Sequence, residues 1–386
     1  MATLARSQAV VVTERRRPGP DLFLTAAMVA LSGLGLLMVY TASRPLLALQ
    51  GDDPQGLVRR QLIFVGIGLV CFVVTSLIDY RLLKTLVPAG YIVSVLALVA
   101  VLFTRPVNGA RSWFQLGFVQ VQPSEIGKVA IILTLAAVLA PAHSRGLSWR
   151  RLLLAVVLAA IPMALIFRQP DFGTMMVWGF IALIMLYAGG ASMRQFLLLT
   201  ASAIAGGWAL FQAKVLADYQ ISRLTSFLDP TADPQQAGWN RLQSELAIGS
   251  GDLFGKGLFQ GTQTELSYVP AQPTDFIFTA VGEQLGFVGA GLVLVLFLVI
   301  VWRLLVIAAR ARDAFGGLIA VGVAAFIVVH TFVNVGMTIG IMPVTGLPLP
   351  FMSYGGSFYI TTAIALGLAH SVWRQRTPVP GNRFLD

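Results

Sequence analysis

The stretch Leu285-Gly286-Phe287-Val288-Gly289-Ala290-Gly291-Leu292-Val293-Leu294-Val295-Leu296-Phe297-Leu298-Val299-Ile300-Val301-Trp302 carries no charge. An apolar run of that length crosses the hydrocarbon core of a bilayer as a helix. It belongs to a run at 276–302, and nine others lie near 21–43, 61–78, 84–103, 124–141, 151–167, 173–190, 195–213, 315–340 and 354–373. With 56% hydrophobic and 11% charged residues in 386, the chain holds far more apolar material than a soluble core needs. The expected fold is all-α, a polytopic membrane protein of about ten transmembrane helices. The lone Cys71 sits inside the second run and reads as a packing residue, which excludes an intrachain disulfide and a cysteine metal site.

One interval interrupts this pattern. From Lys214 to Thr274 no apolar stretch is long enough to span, so a long outer loop is expected between spans seven and eight. It ends in Thr274-Asp275-Phe276-Ile277-Phe278, which places Asp275 where polar loop meets hydrocarbon, a costly position for a carboxylate without a task. When connections are assigned alternately to the two sides, sixteen Lys and Arg fall on one side. Six fall on the other once the long loop is set aside. The charge-rich side is cytoplasmic, so both termini are expected inside and the long loop outside. The organisation is then a basic arm at 1–20, one membrane domain at 21–374 with its extracytoplasmic loop at 214–274, and a cytoplasmic tail at 375–386. The first run reads as a retained span rather than a cleaved signal. Much of the +10 net charge is topology signal and attraction to anionic membrane lipid, so no nucleic-acid partner is needed to explain it.

Four polar clusters break the apolar background. Gln122-Pro123-Ser124-Glu125-Ile126-Gly127-Lys128 opens the fourth span: Pro123 and Glu125 suit a first helical turn, and Lys128 lies on the same face as Glu125. The two either neutralise each other structurally or line a functional cavity. In Asn108-Gly109-Ala110-Arg111-Ser112-Trp113, Trp113 suits an interfacial anchor and Arg111 suits two-point contact with phosphate. In Arg168-Gln169-Pro170-Asp171-Phe172-Gly173, Asp171 is a candidate cap for the sixth helix. His330 and Asn334, one turn apart in the ninth span, suit interhelical hydrogen bonds better than a metal site.

Taken in order, these phrases resemble the SEDS family (shape, elongation, division and sporulation) of bacterial cell-wall enzymes across residues 20–375. The likeness continues through Gln169-Pro170-Asp171-Phe172-Gly173-Thr174, Gly238-Trp239, Gln243-Ser244, Ala247-Ile248-Gly249-Ser250-Gly251 and Gly255-Lys256-Gly257. It ends in Thr274-Asp275-Phe276 and Pro348-Leu349-Pro350 leading to Ser353-Tyr354-Gly355-Gly356-Ser357. Gly261-Thr262-Gln263 is more similar to the elongation branch than to the division branch. The resemblance implies a peptidoglycan glycosyltransferase of the plasma membrane that polymerises lipid II on its extracytoplasmic face, with Asp275 as the essential carboxylate. It implies Glu125 and Lys128 as cavity residues and a class B penicillin-binding protein as partner.

The chemistry expected on that basis is inverting transfer. Asp275 takes the proton of the acceptor hydroxyl, and cations stabilise the departing diphosphate. Arg111, Lys128, Arg223 and Lys256 are the candidate cations, with Glu125 and Asp171 as further polar contacts. No cofactor is certain; a divalent cation such as magnesium could share the diphosphate, without a dedicated protein cage. The chain departs from the family pattern at Ala271 and Pro273, where an acidic residue and a His are usual, at Asp252 and at Phe358. A lipid II flippase using the same polar cavity, a division-type paralogue with the same chemistry, and a non-catalytic scaffold are the rival readings.

Overall fold

A computed structural model describes residues 19–106, 109–117, 119–142, 146–213, 218–229 and 237–376. The basic arm, most of the tail and Asn108 therefore lie outside the described residues. Each of the ten expected apolar runs falls on one long helix. These are α1 (Leu22–Gln50), α2 (Gly56–Leu77), α3 (Tyr80–Val101), α4 (Pro123–Leu139), α5 (Trp149–Phe167), α6 (Phe172–Ala188) and α7 (Met193–Gln212). The shorter α8 (Asp218–Leu228), α9 (Ala237–Gly249) and α10 (Thr262–Glu265) follow, then α11 (Ile277–Ala309), α12 (Ala314–Thr338) and α13 (Gly356–Arg374). Seven of them, α1 to α5, α11 and α12, are long and apolar enough to cross a membrane, and α6 is apolar but shorter. Large apolar side chains such as Leu82, Val93 and Leu298 point outward, as lipid contact requires.

The all-α expectation needs one addition, a two-stranded antiparallel hairpin of β1 (Phe114–Leu116) and β2 (Val119–Val121), pairing Phe114 with Val121. Its alternation is too short to register as a strand pattern in the sequence. Helix ends also differ from the apolar runs. The first apolar run closes near residue 43, yet α1 carries Pro45 inside it and runs on to Gln50, where Gly51, with a φ of 76°, supplies a left-handed cap.

Buried α12 is the central element, flanked by α4, α6, α11 and α13. Small residues bring α2 and α13 together: a methyl group on Gly68 would meet the Tyr359 ring, and one on Gly367 would meet the Phe72 backbone. At the opposite end of the bundle from Asp275, Arg303 pairs with Asp21 at 2.7 Å, and the Asp21 amide donates to His370 Nε2 at 3.0 Å. This buried cluster joins the start of α1 to the C-terminal halves of α11 and α13.

The most consequential departure from a simple helix lies in α11. Gly286 adopts φ 65° and ψ −164°, which breaks the helical ladder. The backbone groups freed there do not go unpaired. Phe287 N donates to Asp252 O at 2.9 Å and Val288 N to Leu253 O at 3.0 Å, while Lys256 N and Gly257 N donate to Glu283 O and Gln284 O. Residues 251–257 thus close the gap in the helix. Side chains at Gly251 and Gly255 would overlap the carbonyls of Gly282 and Gln284, so the glycine-rich phrases in this loop are packing requirements of the broken helix.

Candidate functional site

Asp275 lies in the turn before α11, where its own amide and that of Thr274 both donate to Ala271 O. The helix N-cap is Phe276, and no side chain caps it, so the Asp275 carboxylate is not spent on capping α11. Its backbone is held from two sides: Asn334 Nδ2 on α12 donates to Asp275 O at 2.7 Å, and Tyr354 N donates to Pro273 O at 2.9 Å. A methyl group on Gly346, whose φ is 73°, would stand 3.2 Å from Asp275 Oδ2, so the segment after α12 forms one wall of the carboxylate's niche. Burial lifts the Asp275 carboxyl to about 6. The Thr274 hydroxyl and the Arg223 guanidinium oppose that lift, and the charge of Asp171 adds to it.

Asp171 and Arg223 therefore share the electrostatic environment of Asp275. Asp171 caps α6, its Oδ1 accepting from Thr174 N at 3.1 Å and its Oδ2 from Gln122 Nε2 at 2.8 Å. Arg223 on α8 donates to Thr345 O at 3.0 Å, next to Gly346. Thr345 O is also the atom a side chain on Gly173 would strike, so the start of α6 abuts the same segment.

Glu125 and Lys128 are both buried and meet on one face of α4, Lys128 Nζ lying 2.8 Å from each Glu125 oxygen. The ammonium also lies 2.9 Å from His330 Nε2 and over the rings of Phe326 and Phe358. Two candidates have partners other than these. Arg111 is exposed and donates to Leu102 O at the end of α3. Lys256 bonds Thr262 Oγ1 at 2.7 Å and the buried Glu283 at 3.2 Å, and a hydrogen-bonded chain through Glu283, Thr264 and Gln272 leads from it toward the Asp275 turn. Glu283 also accepts from the amides of Gln263 and Thr264, making it the hub that fastens α10 to α11.

The sequence reading passed over Glu283, and it quoted Gln122 and Ser357 within longer phrases without giving either a role of its own. An ionisable residue inside the apolar run at 276–302 was the available signal for Glu283. Ser357 Oγ donates to Gln120 O at 2.7 Å, fastening α13 to the hairpin, a contact between residues too distant in sequence to foresee. Among the described residues no three His, Cys, Asp or Glu side chains converge as metal ligands. The oxygens of Asp171 and Asp275 are the donor type magnesium takes, yet Asp171 is already engaged by Thr174 and Gln122.

The family model for FtsW, RodA and SpoVE, described as cell cycle protein, matches residues 22–377. The chain is 37% identical over 366 residues to stage V sporulation protein E of Bacillus subtilis, covering 93% of this chain and 98% of that one. It is 38% identical to the peptidoglycan glycosyltransferase MrdB of Escherichia coli K12, covering 90% and 92%. Among solved structures it is similar to a chain from a peptidoglycan synthase complex that coordinates polymerization and crosslinking. That match has a TM-score of 0.77 at 31% identity and covers 92% of this chain and 98% of the other. The crystal structure of the rod shape determining protein RodA of Thermus thermophilus matches with a TM-score of 0.69 at 30% identity, covering 94% and 99%. By sequence across nearly its whole length and by fold, this multi-pass membrane protein belongs to the FtsW/RodA/SpoVE family, the SEDS proteins.

Proposed function

We propose that the chain is a peptidoglycan glycosyltransferase that polymerises lipid II, with Asp275 as general base. The observation that carries this reading is the half-buried Asp275 carboxylate, left out of helix capping and raised by burial to about 6, near the working pH of a base. In the proposed step, the 4-hydroxyl oxygen of the acceptor GlcNAc attacks the anomeric carbon of the donor MurNAc. Its proton passes to Asp275, the bond from that carbon to the diphosphate oxygen breaks, and undecaprenyl diphosphate leaves with the electron pair. A diphosphate needs charge stabilisation rather than a protonating acid. Arg223 is the cation placed beside Asp275, and Arg111, on the segment leading into the hairpin, is the second phosphate contact in this reading. A divalent cation carried by the diphosphate would add Lewis-acid stabilisation.

Glu125 and Lys128 enter as the buried floor below the site, Asp171 as the group that orients Gln122 and bears on Asp275, and Lys256 as a more remote contact. The organisation proposed is ten spans, both termini cytoplasmic, the active face and the loop at 214–274 outside, and a class B penicillin-binding protein as partner. The similarity to a chain of a synthase complex supports that partner. The phrase Gly261-Thr262-Gln263 favours an elongation role in rod shape over division. The break in α11 is the one observation in favour of a flippase, since discontinuous helices serve alternating access. Four of its freed groups are taken by residues 252–257, which makes the break a packed one and favours the enzyme. Lipid II polymerisation by the chain co-purified with its penicillin-binding partner tests the reading: no glycan product from the folded complex would overturn it.

A further inference from the structure

We infer that His330 is a positioning residue for Asp275: it accepts a hydrogen bond from Lys128 and donates one to Pro348 O, and so holds the Gly346-Leu347-Pro348 wall against the Asp275 carboxylate. The inference rests on the reading of Asp275 as the base.

An ammonium has three N–H donors, and Lys128 Nζ has three acceptors at hydrogen-bond distance: both Glu125 oxygens at 2.8 Å and His330 Nε2 at 2.9 Å. With no exposed surface, Lys128 offers no donor to a substrate in this state. Accepting from an ammonium requires the lone pair on Nε2, which puts the ring proton on Nδ1. That atom faces Pro348 O at 3.2 Å, so one neutral tautomer satisfies both partners. The ring is fixed between Phe326 and Phe358, with centroids at 4.9 and 4.8 Å.

The segment following α12 has no helix or sheet ladder of its own at 343–349, and side chains carry three of its carbonyls instead. Thr345 O takes Arg223, Leu347 O takes Asn334 at 2.6 Å, and Pro348 O takes His330. Asn334 and His330 lie one turn apart on α12, so a single helix face sets the wall. If the Pro348 contact is lost, the wall can move off Asp275 and admit water, which removes the burial that lifts its carboxyl. The charged groups facing His330 are Lys128 and, through it, Glu125 from α4, while α13 contributes the Phe358 ring and α12 the Phe326 ring. Those acting on Asp275 are Arg223 from α8 and Asp171 at the start of α6.

The test compares His330→Gln with His330→Phe in the chain co-purified with its penicillin-binding partner in lipid vesicles, following lipid II polymerisation against pH together with thermal unfolding. Gln keeps one acceptor and one donor, and Phe keeps the shape alone. His330→Gln should stay within about threefold of the parent rate with its acidic limb unmoved. His330→Phe should lose about tenfold in kcat with little change in KM, and its acidic limb should fall by about one pH unit. An acidic limb unmoved in His330→Phe, or equal losses in both variants without a pH shift, overturns the inference and leaves His330 a packing residue. If His330→Phe does not accumulate, His330→Asn replaces it. That side chain reaches one partner at most, and the same downward limb shift is expected. Activity retained by Asp275→Asn would overturn the base assignment and this inference with it, whereas a normal parental limb that His330 variants leave in place overturns this inference alone.

Discussion

Replacing Lys128 by Met removes one partner of a buried ion pair, and the structure sets the size of the effect. At 2.8 Å and an effective dielectric near 20, the gross attraction between Lys128 and Glu125 is about 6 kcal/mol. Desolvating each ion costs several kcal/mol, so the intact pair is close to neutral relative to an apolar pair of similar volume. Removing Lys128 alone leaves Glu125, 3% exposed, as an uncompensated buried carboxylate, at a cost of about 3–5 kcal/mol. It also leaves His330 Nε2 without its donor, which adds about 1 kcal/mol or more. The double change Glu125→Gln with Lys128→Met should recover most of the loss. Unfolding of parent, both single variants and the double variant in lipid nanodiscs gives the coupling energy through a double-mutant cycle. A Lys128→Met cost below about 1 kcal/mol, or a double variant no better than the worse single one, would refute the reasoning. Polymerisation by a folded double variant would further show that neither side chain touches substrate.

Further expectations concern the loop, the pH dependence and the topology. Gly255→Ala places a side chain at φ 81° against the Gln284 carbonyl and should cost at least about 2 kcal/mol, checked by thermal unfolding; an unchanged melting temperature would count against the packed break in α11. Glu283→Gln turns an acceptor toward the amides of Gln263 and Thr264 into a donor and should cost about 2–4 kcal/mol, read from protease sensitivity of the 251–265 loop. A base must be ionised, so polymerisation should rise as pH increases through about 6 and level off above it; a profile flat from mildly acid to neutral pH would contradict the raised Asp275 carboxyl. The same raised carboxyl binds its proton more tightly folded than unfolded, so its contribution to stability falls as pH rises from about 4 to about 6. A reporter after Arg383 should read cytoplasm and one near Ala232 the outer side; reversal at both would invert the orientation.

The helical bundle was legible because hydrocarbon imposes one requirement, an unbroken apolar run, and each such run became a helix. Asp275 and the Glu125–Lys128 pair stood out for the complementary reason, as charges where charges are costly. The break at Gly286 was not legible, because its compensation comes from backbone groups at 252–257, and a carbonyl leaves no mark on residue type. His330 and Asn334 showed a helical spacing but not their targets, which are main-chain oxygens of a segment more than ten residues away. Arg111 and Lys256 carried the right charge for a diphosphate; which charges converge near Asp275 depends on how α8, the hairpin and the 251–265 loop fold back. Phe358 stood out only as a departure from the family phrase, yet in three dimensions its ring covers the Lys128 ammonium.

Asp275→Asn in the chain co-purified with the proposed penicillin-binding partner is the most direct test, because it keeps size and polarity while removing basicity. A general base contributes about 10² to 10⁴ in rate, or about 3–5 kcal/mol of barrier. The Asp275 side chain caps no helix, so stability has little to lose. The folded complex should retain its melting temperature and its partner, and form almost no glycan from lipid II. Polymerisation by that variant at near the parental rate would contradict the account.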